Sequence, residues 1–117
     1  MKIKYQRFKE IVTEAEAQPD QAVFLAEYGI PEWILNEVTD SEVQAAVDLI
    51  TAIHTVVHMT SAELVRTSGM TQTKFAERFM IPLRTVQNWC GGQRTMPRYE
   101  KFMFAVILGF FGDLKIV

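Results

Sequence analysis

Between Thr60 and Pro97 the sequence marks its own helix ends, and the marks sit so close together that only short helices fit between them. "TSAE" at 60–63 has the form of a capping box, in which Thr60 accepts from the backbone and Glu63 reaches back. Gly69 offers a left-handed stop and Thr71 an N-cap for the next helix. Pro82 keeps Ile81 out of the helical region and presets its own φ. "GG" at 91–92 terminates, and Pro97 opens again. These signals predict a helix from Thr60 to Gly69, one over about Gln72–Phe79, one over Leu83–Cys90, and a last one from Pro97 towards Gly109 or Gly112.

The first half reads the same way. Apolar residues at Tyr5, Phe8, Ile11, Val12 and Ala15 predict a helix over Tyr5–Ala17 with that face inward. Pro19 in "QPDQ" restarts the chain, a short helix runs to Tyr28, and Gly29 is its stop. Pro31 opens another turn carrying Trp33, Ile34 and Leu35. "TDSE" at 39–42 supplies N-cap oxygens and early acidic charge to a longer helix over roughly Ser41–Met59. Its inward positions are Val43, Ala46, Val47, Ile50, Ile53 and Val57. No run alternates with period 2 between turn residues, so strands are not expected. The fold class is all-α, seven or so helices, with a boundary near Met59–Thr60.

Charge separates the two halves. Residues 1–63 hold four Lys/Arg and eleven Asp/Glu, a net of −7, whereas residues 64–117 hold eight and three, a net of +5. The split suggests that the second half alone faces a polyanion, although mutual neutralisation across an internal interface would serve as well. Hydrophobic residues make up 49% and charged residues 22%, which suits a globular core. Cys90 is the single cysteine, so an internal disulfide framework and multi-thiolate zinc sites are excluded. The apolar run Phe102–Phe111 is far short of the roughly twenty residues that span a bilayer and reads as a buried helix closing the domain. Nothing resembles a signal peptide, and the expected location is cytoplasmic.

The corner in "TQTKFAERFMIPLRTVQNWCGGQRTMPRY" carries the chemistry. Ala76 is small enough to let a second helix cross the first closely. Ile81, Val86 and Trp89 follow it, the last two sharing one face by the i, i+3 rule, with Leu83 a further candidate for the core. That inward face leaves Arg84, Thr85, Gln87 and Asn88 outside.

Gln72, Ala76, Ile81, Val86, Trp89 and the exit "GGQRTMP" resemble the XRE family, the lambda-repressor-like and Cro-like helix-turn-helix DNA-binding domains, over residues 60–111. Met80 stands where that family usually has glycine. The resemblance implies a second helix in the major groove and a first helix crossing the phosphates. Arg84, Thr85 and Asn88 would then face base edges, with Gln87 flanking them. Gln72, Lys74, Arg94 and Arg98 would contact phosphates.

Other constellations are weaker. His54 and His58 stand at a zinc-compatible i, i+4 spacing, but Thr55 rather than Glu follows His54 and no third ligand is near, so structural or surface roles are expected. Cys90 reads as a small buried or half-buried residue rather than a nucleophile. There is no P-loop, dinucleotide fingerprint or serine elbow, and neither an enzyme nor a cofactor or metal is expected. The resulting expectation is an acidic helical module over residues 1–59, serving dimerisation or a protein partner, with Phe24, Tyr28 and Trp33 as exposed aromatics. A helix-turn-helix domain over residues 60–117 would bind double-stranded DNA as a homodimeric transcriptional regulator. The alternative is a protein-interaction module, antitoxin-like or a phage or mobile-element regulator's partner, whose corner does not read DNA.

Overall fold

The structure, a computed structural model, describes residues 1–28 and 31–117, with Leu35 described by its backbone alone. The stop expected at Gly29 and the side chain of Leu35 therefore lie outside the described residues. The described chain is mostly helical and divides into two compact units, Met1–His58 with Gly109–Val117, and Met59–Leu108. The last nine residues thus belong with the first unit, not with the basic helices that precede them.

In the first unit, α1 (Tyr5–Ala17), α2 (Gln21–Tyr28), α3 (Glu32–Glu37) and α4 (Val43–His58) surround one core. A 3-10 turn over Asp40–Glu42 precedes α4, so the regular helix starts two residues later than the cap signal suggests. The α1 face is buried at Phe8, Ile11, Val12 and Ala15, but Tyr5, at the open first turn, is exposed. On α4 the buried positions include Leu49 and Val56 beside Ala46, Ile50 and Ile53, while Val43, Val47 and Val57 are half-buried. The inward stripe is therefore rotated slightly from the one expected, because α4 packs against α1, α2 and α3 rather than a single neighbour.

Two expectations for this unit are corrected. Phe24 and Trp33 are buried and Tyr28 is half-buried, so they form core rather than an exposed aromatic patch. Phe24 stacks on both Tyr28 and His54, and the Trp33 indole donates to the Tyr28 hydroxyl. A short parallel pair also exists, β1 (Lys2–Ile3) with β2 (Lys115–Ile116). Two residues per strand are too few to show a period in the sequence.

The histidines act as tethers. His54 Nε2 lies 2.7 Å from the Gln18 carbonyl and His58 Nε2 lies 2.7 Å from that of Ala15. Ala15 lies in the last turn of α1 and Gln18 is the residue that caps it, so both bonds hold the end of α1, where carbonyls run short of helical donors. Among the described residues no group of three or more His, Cys, Asp or Glu could hold a metal ion.

The second unit contains α5 (Ser61–Thr67), α6 (Gln72–Arg78), α7 (Leu83–Cys90) and α8 (Arg98–Ile107). Its cap signals are realised: the Thr60–Glu63 capping box is complete in both directions, Gly69 has a φ of +79°, and Thr71 accepts from the Lys74 amide at 3.1 Å. The core is aromatic. Phe104 meets Phe75, Phe79 and Trp89 with ring centroids 5.1, 4.8 and 6.2 Å away. The apolar run from Phe102 does not form a fully buried helix. α8 ends at Ile107 and buries Phe104 and Ala105, whereas Tyr99, Met103, Val106 and Ile107 are exposed. No helix among the described residues is long and apolar enough to cross a membrane.

Candidate functional site

The corner between α6 and α7 is built by backbone hydrogen bonds. The Ile81 amide donates to the Ala76 carbonyl at 2.9 Å, and the Met80 amide to the Glu77 carbonyl at 3.3 Å. This pair of bonds is a Schellman motif, which requires a left-handed residue between helix and exit. Met80 takes that conformation with a φ of 55°, among the described residues the one non-glycine with positive φ, and its side chain is 91% exposed. The chain therefore follows the glycine path without glycine. Pro82 then caps α7, and the Thr85 amide donates to its carbonyl at 2.9 Å.

Helix α7 is strongly two-faced. Val86 and Trp89 are buried, which fixes the helix on the unit's core. Arg84 and Gln87 are exposed, Thr85 and Asn88 half-buried. Leu83 is 38% exposed and so belongs to the outer surface rather than the core. Cys90 is half-buried, and desolvation pushes its thiol above the ordinary cysteine range.

After α7 the chain turns back over its own helix. Gly92 has a φ of +81°, the Arg94 amide donates to the Asn88 carbonyl at 3.2 Å, and Met96 is buried. This exit loop and α7 enclose an open groove of about 790 Å³, lined by Pro82, Arg84, Thr85, Asn88, Trp89, Arg94, Thr95 and Pro97. The groove gathers four of the residues singled out in the sequence, Arg84, Thr85, Asn88 and Arg94. It leaves Gln87 on the outer surface. Gln72 and Lys74 are exposed on the first turn of α6, and Arg98 is exposed at the start of α8. Thr95 was not legible as a groove residue, because the loop's return depends on a bond to Asn88 that no spacing reveals.

Electrostatics distinguish this surface. The second unit carries seven Lys/Arg and three Asp/Glu, a net of +4. Among the described residues, no carboxylate forms an ion pair with Arg84, Arg94 or Lys74. Arg7 of the first unit is engaged quite differently, by Glu10 at 2.8 Å, Glu37 at 2.9 Å and the face of Trp33 at 5.2 Å. Two guanidiniums at one groove, with no carboxylate paired to either among the described residues, form a surface suited to an anionic ligand.

Comparison of the chain with protein-family models, with curated proteins and with solved structures gives no match.

Proposed function

We propose that this protein binds double-stranded DNA sequence-specifically as a homodimeric transcriptional regulator, with α7 as its recognition helix. The observation that carries this reading is the pair Arg84 and Arg94, unengaged by any described carboxylate and lining one groove beside α7. Phosphate charge dominates affinity for duplex DNA, so cations held free of internal partners are what such a surface needs. The helix is short, fixed by Val86 and Trp89, and polar on its outer face apart from Leu83, which suits entry into a major groove about 12 Å wide. Two copies would place their α7 helices one DNA turn apart.

A second reading follows from another observation. The apolar stripe of Tyr99, Met103, Val106 and Ile107 along α8, together with Met80 at the corner, would suit a protein-interaction module that does not read DNA. Selection of bound duplexes from a random pool at low salt separates the two. Enrichment of a shared, palindromic sequence supports the regulator; absence of any enriched duplex removes it and leaves the interaction module.

A further inference from the structure

The side chains of α7 stand at two levels. Leu83, Arg84 and Gln87 are exposed and form the outermost stripe of the helix by their i, i+3 and i, i+4 spacing, and Arg84 also lines the groove beside it. Thr85 and Asn88 are short, half-buried, and recessed beside Trp89 in the groove under the exit loop. A duplex has the complementary relief. Its sugar–phosphate strands are ridges, and its base edges lie about 8.5 Å down in the major groove. A protruding stripe reaches base edges, whereas a recess receives a ridge.

We infer that the groove between α7 and the exit loop seats one sugar–phosphate strand, while the crest of Leu83, Arg84 and Gln87 reads the base edges. This division of labour rests on the DNA-binding reading above. The lining fits a phosphodiester: hydroxyls of Thr85 and Thr95, the amide of Asn88 and the guanidinium of Arg94 all donate to phosphate oxygens. Trp89, Pro82 and Pro97 offer apolar surface to the sugars. The seat is held in shape before any ligand arrives, because the Arg94 amide is bonded to the Asn88 carbonyl and Met96 anchors the loop. Asn88 and Thr85 thus move from base readers to strand-seating residues, Thr95 joins them, and Gln87 moves from the flank to the centre of specificity.

The test uses the full chain in parallel selections from a random duplex pool, with affinities measured over a salt series. The variants are Gln87→Ala, Asn88→Ala, Thr95→Val and Arg94→Ala, each checked for an unchanged melting curve. Gln87→Ala is expected to lose discrimination at one base position by roughly tenfold. Asn88→Ala and Thr95→Val should weaken all duplexes by one common factor and keep the wild-type preference. Arg94→Ala should do the same and lower the salt slope by about one. Thr95→Val, which keeps side-chain volume, serves as the groove probe should Asn88→Ala melt early. A preference that depends on Asn88 or Thr95 and survives Gln87→Ala overturns the inference while leaving DNA binding intact. A wild type that enriches no duplex removes both.

Discussion

The Ile81 amide and the Ala76 carbonyl, 2.9 Å apart, close the corner between α6 and α7 around a left-handed Met80. Left-handed backbone costs a non-glycine residue about 1–2 kcal/mol, and a side chain 91% exposed returns little packing. Met80→Gly removes that strain but gives the unfolded chain about 0.4–1 kcal/mol of extra entropy. The expected net effect is a stabilisation of roughly 0.5–1 kcal/mol, read as a higher urea midpoint at unchanged slope. Met80→Val should shift the midpoint the other way, because a β-branched residue tolerates positive φ worst. A destabilised glycine variant would mean that Met80 contributes a contact that its exposure does not suggest.

What the sequence made legible here was local. Thr60, Gly69, Thr71, Pro82 and Pro97 act on backbone groups within a few residues, so their spacing alone places the helix ends of the second unit. Pairings distant in the chain were not legible. Lys2 pairs with Lys115, Tyr5 lies outside a face that its spacing put inside, and Phe24 and Trp33 are buried by neighbours from other helices. The site divides along the same line. Val86 and Trp89 could be read as the inner face of α7, which left Arg84 and Gln87 outside. The recess that holds Thr85 and Asn88 exists because the exit loop folds back, and only the structure shows that return.

The capping box gives a pH prediction. Hydrogen bonds from the Thr60 side chain and backbone hold the Glu63 carboxyl below the ordinary glutamate range. A carboxyl depressed in the folded state stabilises above the ordinary glutamate range and loses that contribution as pH falls through its lowered value. Acid melts should therefore show part of the stability of the wild type disappearing in that window. Glu63→Gln keeps an acceptor for the Thr60 amide and should show a smaller loss over the same window. Parallel thermal melts from neutral to acid pH decide it; equal pH dependence in both proteins would exclude a role for this carboxylate.

The His54 tether predicts a destabilisation independent of any metal. His54 is 3% exposed, bonded to the Gln18 carbonyl and stacked on Phe24 with ring centroids 4.9 Å apart. His54→Leu retains apolar bulk but leaves that carbonyl without its donor, at a cost of about 1–3 kcal/mol. His58→Leu should cost less, because His58 is exposed and water can replace its bond to Ala15. Urea unfolding should rank wild type above the His58 variant and both above the His54 variant, with the same order in chelator. A His54 variant as stable as wild type would show the bond to be dispensable.

Phe104 is the residue on which the second unit's core should depend most. Its ring lies among Phe75, Phe79 and Trp89, drawn from α6, the end of that helix, and α7. Phe104→Ala removes three aromatic contacts and leaves a void, a loss of about 3–5 kcal/mol. The same substitution at Met103, one residue earlier but 58% exposed, should change stability by about 0.5 kcal/mol or less. The contrast also bears on the groove, because Trp89 forms part of its lining and touches Phe104 from the other side. A cavity behind Trp89 should loosen the groove before the unit unfolds, which hydrogen exchange at Thr85, Asn88 and Arg94 would report as faster exchange in the Phe104 variant than in the Met103 variant. Equal exchange in the two variants would show that the groove is held by the exit loop alone.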